Sequence, residues 1–488
     1  MRILHILGFA VLVYLASTPR SSAQDIEASA PKGVSISAYD TGLALVSEVR
    51  SITLAKGENK VRVRQMPARL DPFSVAFSPL GGPGFELLDQ RFENDLTSVD
   101  RVFKRYLGRT VEVVTLAGTQ KGALVSAPST ERGTGLEPLV LRIDDGSLKM
   151  YRVDDVVSAV LFPQPGGALV PEPTLFWRLN AGQDGPQRFR LSYATEGLTW
   201  SASYEAVLTE NEVEAFLTGR VALSNGTGTK FDEARIKLVS TEKGSIPSAD
   251  GSAAGPAMRY AQGASEPTFE KVVAGAAALQ TYELPAPVSL ANGETRYVQL
   301  LSVAKLPVSK VYEYDGVKFD RFQRNRRNDW NYGTEYSRAV ETYLRFSNSV
   351  ATGLGMDMPP GRLRLYRQKA DGMMELAGED TLPPTRSGTL VQLLLGPAVG
   401  LLGERERTGY SEITPLHEYE ESFEIRLENN SGEDVEIRVL EHLYRWNQYE
   451  IVKADTDYRN AGAQAVEFQV ALKSGGRRSI HYTVRYRW

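Results

Sequence analysis

The sequence predicts an all-β protein: immunoglobulin-like β-sandwich modules with a small SH3-like or Sm-like barrel inserted and one short helix. Three observations carry that prediction. Apolar residues recur at every second position along much of the 488-residue chain, the period of strands with one buried face. A single clear stretch, Val99 to Leu107, gathers its apolar residues at helical spacing instead. Gly, Pro and Asn clusters then punctuate the strands at short intervals.

Residues 1–23 stand outside that fold. Arg2, the apolar run Ile3 to Ala16 and the small residues Ser21-Ser22-Ala23 follow the order of a secretory signal peptide. The apolar part is too short to span a bilayer. The expected mature chain starts at Gln24 and works in an export compartment, periplasmic or extracellular. Cleavage removes Arg2 and Arg20 but no acid, so the formal charge moves from -4 to -6. A mildly acidic chain has no general attraction for nucleic acid. No later apolar stretch is long enough for a transmembrane helix. Cysteine is absent, which excludes disulfides, thiol catalysis and cysteine-ligated metals. Only His417, His442 and His481 follow the leader, and no two have the i, i+4 spacing of a helical zinc site. Neither a metal nor a cofactor is expected.

The elements follow in order. An N-terminal β domain, 24–93, alternates through Val34 to Ser37 and Leu43 to Leu54, turns at Lys56-Gly57-Glu58-Asn59, and resumes at Lys60 to Arg64 as a hairpin partner. A helix with Val99, Val102, Phe103, Tyr106 and Leu107 on one face opens the insert, 94–163. Strands at 110–116, 121–126, 139–143, 148–153 and 156–162 complete it as a small barrel. Asp144, Asp145, Asp154 and Asp155 make one face of it acidic, against RNA binding and for a structural insert. A central sandwich region spans 164–415. Its segment 243–278, rich in Ala, Gly, Ser and Pro, is expected to be a flexible loop. The last module, 416–488, has the strand density of an immunoglobulin-like sandwich. Three alternating stretches end alike in Asn and small polar residues: Val221 to Gly226, Tyr343 to Ser349 and Phe423 to Asn430. Their unequal spacing reads as recurring sandwich grammar and not a repeat array.

Several pieces, taken in order, resemble a known family. They are Tyr39 to Val46 with Arg50, Leu70 to Val75, Leu107 to Val111, Leu191 to Trp200 with Tyr204, Leu354 to Arg362 with Tyr366, Ala377 to Asp380, and Tyr482 to Trp488. Together the chain resembles domain-of-unknown-function family 4139, uncharacterised bacterial proteins related to mucoidy-inhibitor-like proteins. The resemblance implies an all-β envelope protein and brings no catalytic residues. The long coiled coil of some relatives has no counterpart in this sequence.

Candidate ligand contacts come from two aromatic stretches. Arg321, Arg324, Arg326 and Arg327, followed by Trp330 and Tyr332, could grip an acidic glycan by guanidinium–carboxylate pairing and stacking. The bland alternative is a solvated hairpin tip. Trp200 could offer a stacking platform, but an aromatic at strand spacing is more often a core anchor, and that reading is preferred. No catalytic residue is assigned: there is no Gly-x-Ser-x-Gly elbow, phosphate loop or dinucleotide fingerprint. Glu404, Glu406, Glu418, Glu420 and Glu421 are expected to face water. The expected function is therefore non-enzymatic, a binding or scaffolding protein of the cell envelope whose partners are other envelope proteins or glycans. The alternatives are a carbohydrate- or peptidoglycan-directed binder or hydrolase, and an outer-membrane β-barrel suggested by the alternating, aromatic-ended last strand.

Overall fold

A computed structural model describes residues 26–81, 84–94, 99–127, 138–151, 157–163, 170, 172–241, 279–317, 330–369, 371–462 and 464–487. The expected all-β class holds. The described strands form five sheets, and none closes into a barrel. One α-helix, Val99–Tyr106, lies among the described residues. No described helix is long and apolar enough to cross a membrane.

The helix buries Phe103 and Tyr106 against the insert, as its period requires. Strands Thr110–Thr115, Gly118–Ser126, Leu139–Arg142 and Leu148–Tyr151 run as a meander, and Val157–Leu161 returns to pair with the first. That is the strand order of the expected small barrel. The sheet nonetheless stays open, because Leu148–Tyr151 and Val157–Leu161 remain its two edges among the described residues.

One expected hairpin does not form. Leu43–Leu54 pairs with Lys32–Tyr39, whereas Gly57–Val63 crosses to a different sheet and pairs with Thr174–Ala181. Gly57 makes the crossing with φ +93°, a left-handed conformation that suits glycine. Ile52 and Leu54 thus meet Val61 and Val63 across one core instead of along one sheet.

The body of the molecule is two sandwiches of the same design. In the first, Lys32–Tyr39 lies between Phe231–Thr241, parallel, and Leu43–Leu54, antiparallel; Gly185–Glu196 follows outside Leu43–Leu54. In the second, Ser309–Tyr314 lies between Val435–His442, parallel, and Ala339–Ser347, antiparallel. The first half of Leu390–Thr414 follows outside Ala339–Ser347. The facing layers correspond too. Leu198–Leu208, Glu214–Asn225 and Thr295–Pro307 pair in sequence in the first; the second half of Leu390–Thr414, Glu418–Asn429 and Arg477–Arg487 do so in the second.

The bend between layers is at Gly197, φ +94°, in one and Gly400, φ +82°, in the other. Each accepts a backbone bond at the same place: Gly226 N–H donates to Gly197 O at 2.7 Å, and Asn430 N–H to Gly400 O at 2.6 Å. The asparagines noted in sequence confirm the correspondence atom by atom. Asn225 Nδ2 donates to Thr229 O, Leu290 O and Ala291 O, while its Oδ1 accepts from the N–H and hydroxyl of Thr227. Asn429 Nδ2 donates to Glu433 O, Leu472 O and Lys473 O, while its Oδ1 accepts from the N–H and hydroxyl of Ser431. Asn348 clamps Met356 O and Arg386 O, but from the end of a strand in a different topological position. Two of the three echoes are therefore true equivalents, a repeat that the unequal spacing hid. The strands of 416–488 do not form a sheet alone; they share a nine-stranded sheet with Ser309–Tyr314, Ala339–Ser347 and Leu390–Thr414.

Candidate functional site: a serine-floored trough

The outer face of the first sandwich carries a trough of about 1110 Å³. Strand alternation puts the bulky members of each strand inside: Ile36, Val46 and Ile236 are buried. Their neighbours point outward, and beside Ile36 and Val46 three of the four are serines, Ser35, Ser37 and Ser47. Sheet register then lines them up across four strands, with Arg235 opposite Ser35, Ser35 opposite Ser47, and Ser47 opposite Ser192. The next row runs Lys237, Ser37, Leu45, Ala194 by the same pairings. Leu284, Pro285 and Pro287 line the trough beside Lys237, and Ser74 lines it beside Ala194. Ser74 is fixed there, its hydroxyl donating to Asp71 O at 2.6 Å and accepting from Ala194 N–H at 2.8 Å.

The second sandwich has no such floor. At the matching positions Glu313 stands opposite Arg438, Glu341 opposite Glu313, and Pro397 opposite Glu341. Register fixes the match, because buried Ile36 faces Ile236 and buried Tyr314 faces Val439 one step along each parallel pair. Long side chains cover that face with ion pairs, Arg438 to Glu313 at 3.1 Å and to Glu467 at 2.6 Å. The trough is thus a property of this sequence in the first copy and not a requirement of the architecture.

Its charge is one-sided. Lys237 pairs with Glu283 at 2.9 Å, and the hydrogen bond and charge of Lys237 hold the Glu283 carboxyl below its ordinary range. Arg188, Arg190 and Arg235 share the exposed face, and none is ion-paired among the described residues. The hydroxyls are hydrogen-bonding groups: Ser47 and Ser192 lie 3.4 Å apart, oxygen to oxygen. Among the described residues no histidine lines the trough, and Glu283, the one carboxylate among them, is engaged by Lys237.

The residues expected from sequence lie elsewhere. Trp200 is in the core of the first sandwich, its indole N–H donating to Ala38 O at 2.9 Å, so it offers no stacking platform. Arg321, Arg324, Arg326 and Arg327 lie outside the described residues. Trp330 and Tyr332 belong to the second sandwich, so Trp200 and Trp330 do not converge. Trp330 is 68% exposed, with the Arg407 guanidinium 5.6 Å from its ring centre.

Beneath Trp330 is a buried ionic cluster. Glu421 accepts from Arg445 at 2.8 Å, Arg407 at 3.0 Å and the Tyr444 hydroxyl at 3.1 Å. Glu441 accepts from Arg405 at 2.8 Å and the Tyr482 hydroxyl at 2.5 Å. Backbone carbonyls join in: Gly333 O takes a bond from Arg405 at 2.8 Å, and Trp330 O one from Arg407. Burial works against the Arg405 charge, but Glu441 and the neighbouring tyrosines outweigh it and raise its pKa. Burial also pushes the Tyr482 hydroxyl well up, reinforced by Glu441. Glu421 is therefore fully buried, against the expectation that it faces water. These pairs anchor the Trp330–Gly333 turn. Among the described residues no group of histidines and acids could hold a metal ion.

Fold and site define an all-β protein of two like sandwiches with a polar, cationic trough on the first. The chain belongs to the family described as domain of unknown function (DUF4139), whose model matches residues 189–488. No curated protein matches it. The match begins inside strand Gly185–Glu196 and includes Ser192 and Arg235, but Ser35 and Ser47 precede it. Of the pieces that carried the resemblance, Tyr39 to Val46, Leu70 to Val75 and Leu107 to Val111 also precede it.

Proposed function

We propose that this chain is an exported cell-envelope protein that binds or scaffolds other envelope components, with the trough as its contact surface. The leader pattern of residues 1–23 supports export. The binding reading rests on one observation: a row of serines, Ser35, Ser47 and Ser192, where the sister sandwich carries Glu313, Glu341 and Pro397, with Glu313 ion-paired to Arg438. Short side chains on an exposed sheet leave room that the fold does not need, and a concave polar surface is where a ligand gains contact area.

Two measurements test this. Osmotic-shock fractionation of cells making the full chain is expected to release a product lacking residues 1–23; an uncleaved cytoplasmic product refutes export. The mature chain is expected to sediment with purified envelope fragments. A Ser47→Trp, Ser192→Trp variant that keeps its cooperative urea-unfolding midpoint should stay in the supernatant. Equal sedimentation of both proteins removes the trough as the contact surface.

A further inference from the structure

Building on the trough as contact surface, we propose that its ligand is a glycan strand bearing carboxylates. The floor offers an extended peptide no strand edge to pair with. Backbone groups of the four central strands are already spent on one another, so an incoming peptide main chain finds no ladder to join. What the floor presents instead is hydroxyls, Ser35, Ser47 and Ser192 in one row and Ser37 in the next. Neighbouring strands are about 4.8 Å apart, so a row across three strands offers hydroxyls at a repeat comparable with that of a pyranose ring. Each serine both donates and accepts, which suits a ligand made of hydroxyls. Beside them Leu284, Pro285 and Pro287 give apolar surface for the C–H faces of sugar rings.

The charge selects the acid. Arg235 ends the serine row, and Arg190 and Arg188 continue the same face on strand Gly185–Glu196, all exposed and without ion-pair partners among the described residues. Glu283 is turned to Lys237 and does not cancel them. A guanidinium forks onto a carboxylate with two parallel bonds, so these arginines complement uronic acid groups along a strand. The chain as a whole is acidic, net -4, which makes a cationic face with an open groove a local feature and not a general stickiness.

The test is calorimetric titration of the mature chain with oligogalacturonate, with its fully methyl-esterified form, and with inorganic polyphosphate. Oligogalacturonate should bind, and the neutral ester should bind at least about tenfold more weakly, the loss expected for one charge-assisted bond. Arg235→Ala should weaken oligogalacturonate about tenfold, Ser47→Ala with Ser192→Ala should weaken it severalfold, and added salt should weaken it throughout. Equal binding of acid and ester overturns the proposal, as does polyphosphate binding as tightly as oligogalacturonate, which would mean charge without sugar recognition. The envelope-sedimentation measurement separates the two failures. If the Trp-blocked variant loses envelope binding yet no galacturonate binds, the contact surface stands and the acidic glycan falls. If blocking changes neither, both fall.

Discussion

The two sandwiches share strand order, bend and asparagine clamp, yet they put their polar residues in opposite places. The first keeps its outer face short and open and has one compact polar trio inside, Arg50 bonded to Glu48 at 2.7 Å and Tyr193 to Glu48 at 3.1 Å. The second closes its outer face with Arg438, Glu313 and Glu467 and drives a larger ionic cluster into its core around Glu421 and Glu441. The architecture is indifferent to the choice, because clamp and bend bonds are the same in both. What differs is use. Buried charge in the second sandwich pins the Trp330–Gly333 turn to the core, whereas the first frees a surface.

The largest effect expected concerns that buried charge. Arg405→Ala strands Glu441 and the Tyr482 hydroxyl in a dry core and should cost about 3–5 kcal/mol, whereas the paired change Arg405→Met with Glu441→Leu leaves no buried charge, only the Tyr482 hydroxyl and Gly333 O unpaired, and should cost about 1–3 kcal/mol. Urea unfolding followed through Trp446, which packs on the second core, should show the loss. Trp177 and Trp200, in the first core, should not. Equal loss at both reporters would mean that the sandwiches unfold as one unit, and the comparison of separate cores would fail.

The clamps come next. Asn225→Ala and Asn429→Ala each remove a donor shared by three carbonyls and the acceptor for Thr227 or Ser431, so each should cost about 1–3 kcal/mol, with matched values. A loss confined to one of them breaks the equivalence. The bends follow the same logic at smaller scale. A Cβ on Gly197 would come within 2.7 Å of Gly226 O, and one on Gly400 within 2.9 Å of Ser431 N, both at positive φ. Alanine at either should cost about 1–3 kcal/mol.

Much of this was legible in the residues, and the exceptions have physical reasons. The helix announced itself through Phe103 and Tyr106, and the last strand through Ile480, Tyr482, Val484 and Tyr486, all buried in alternation. The burial of Glu421 is legible in its phase: it falls in step with Tyr419, Phe423, Ile425 and Leu427. Glu441 likewise keeps step with Ile437 and Val439. A carboxylate in an apolar phase is a buried ion awaiting a partner, and that signal outranks the residue's usual preference for water. The trough was beyond reach. Ser35 and Ser192 read only as wet-face residues, because the register that aligns them with Arg235 is made by strands far apart in the chain. The crossing at Gly57 was equally hidden, since a turn between two alternating strands does not say whether they share a sheet.

The smallest effect sharpens the comparison through pH. Burial raises the Glu48 carboxyl above its ordinary value of 4.5, and the attraction of Arg50 only partly offsets this. The folded state therefore holds that proton more tightly than the unfolded chain, so the contribution is full below 4.5 and declines as pH rises through the folded value. Glu467 in the second sandwich behaves oppositely. Burial would raise it, but hydrogen bonds from Arg438 and Arg459 prevail and hold it below 4.5, so its contribution is present above 4.5 and fades as pH falls through the folded value. Each single-group slope is at most about 1.4 kcal/mol per pH unit. Between pH 6 and pH 4, Glu48→Gln should erase a gain seen by Trp177 and Trp200 on acidification. Glu467→Gln should erase a loss seen by Trp446. Slopes of the same sign at the two reporters would show that the first sandwich pays no desolvation cost at Glu48, and that its interior polar trio is as well compensated as the ion pairs on the outer face of the second.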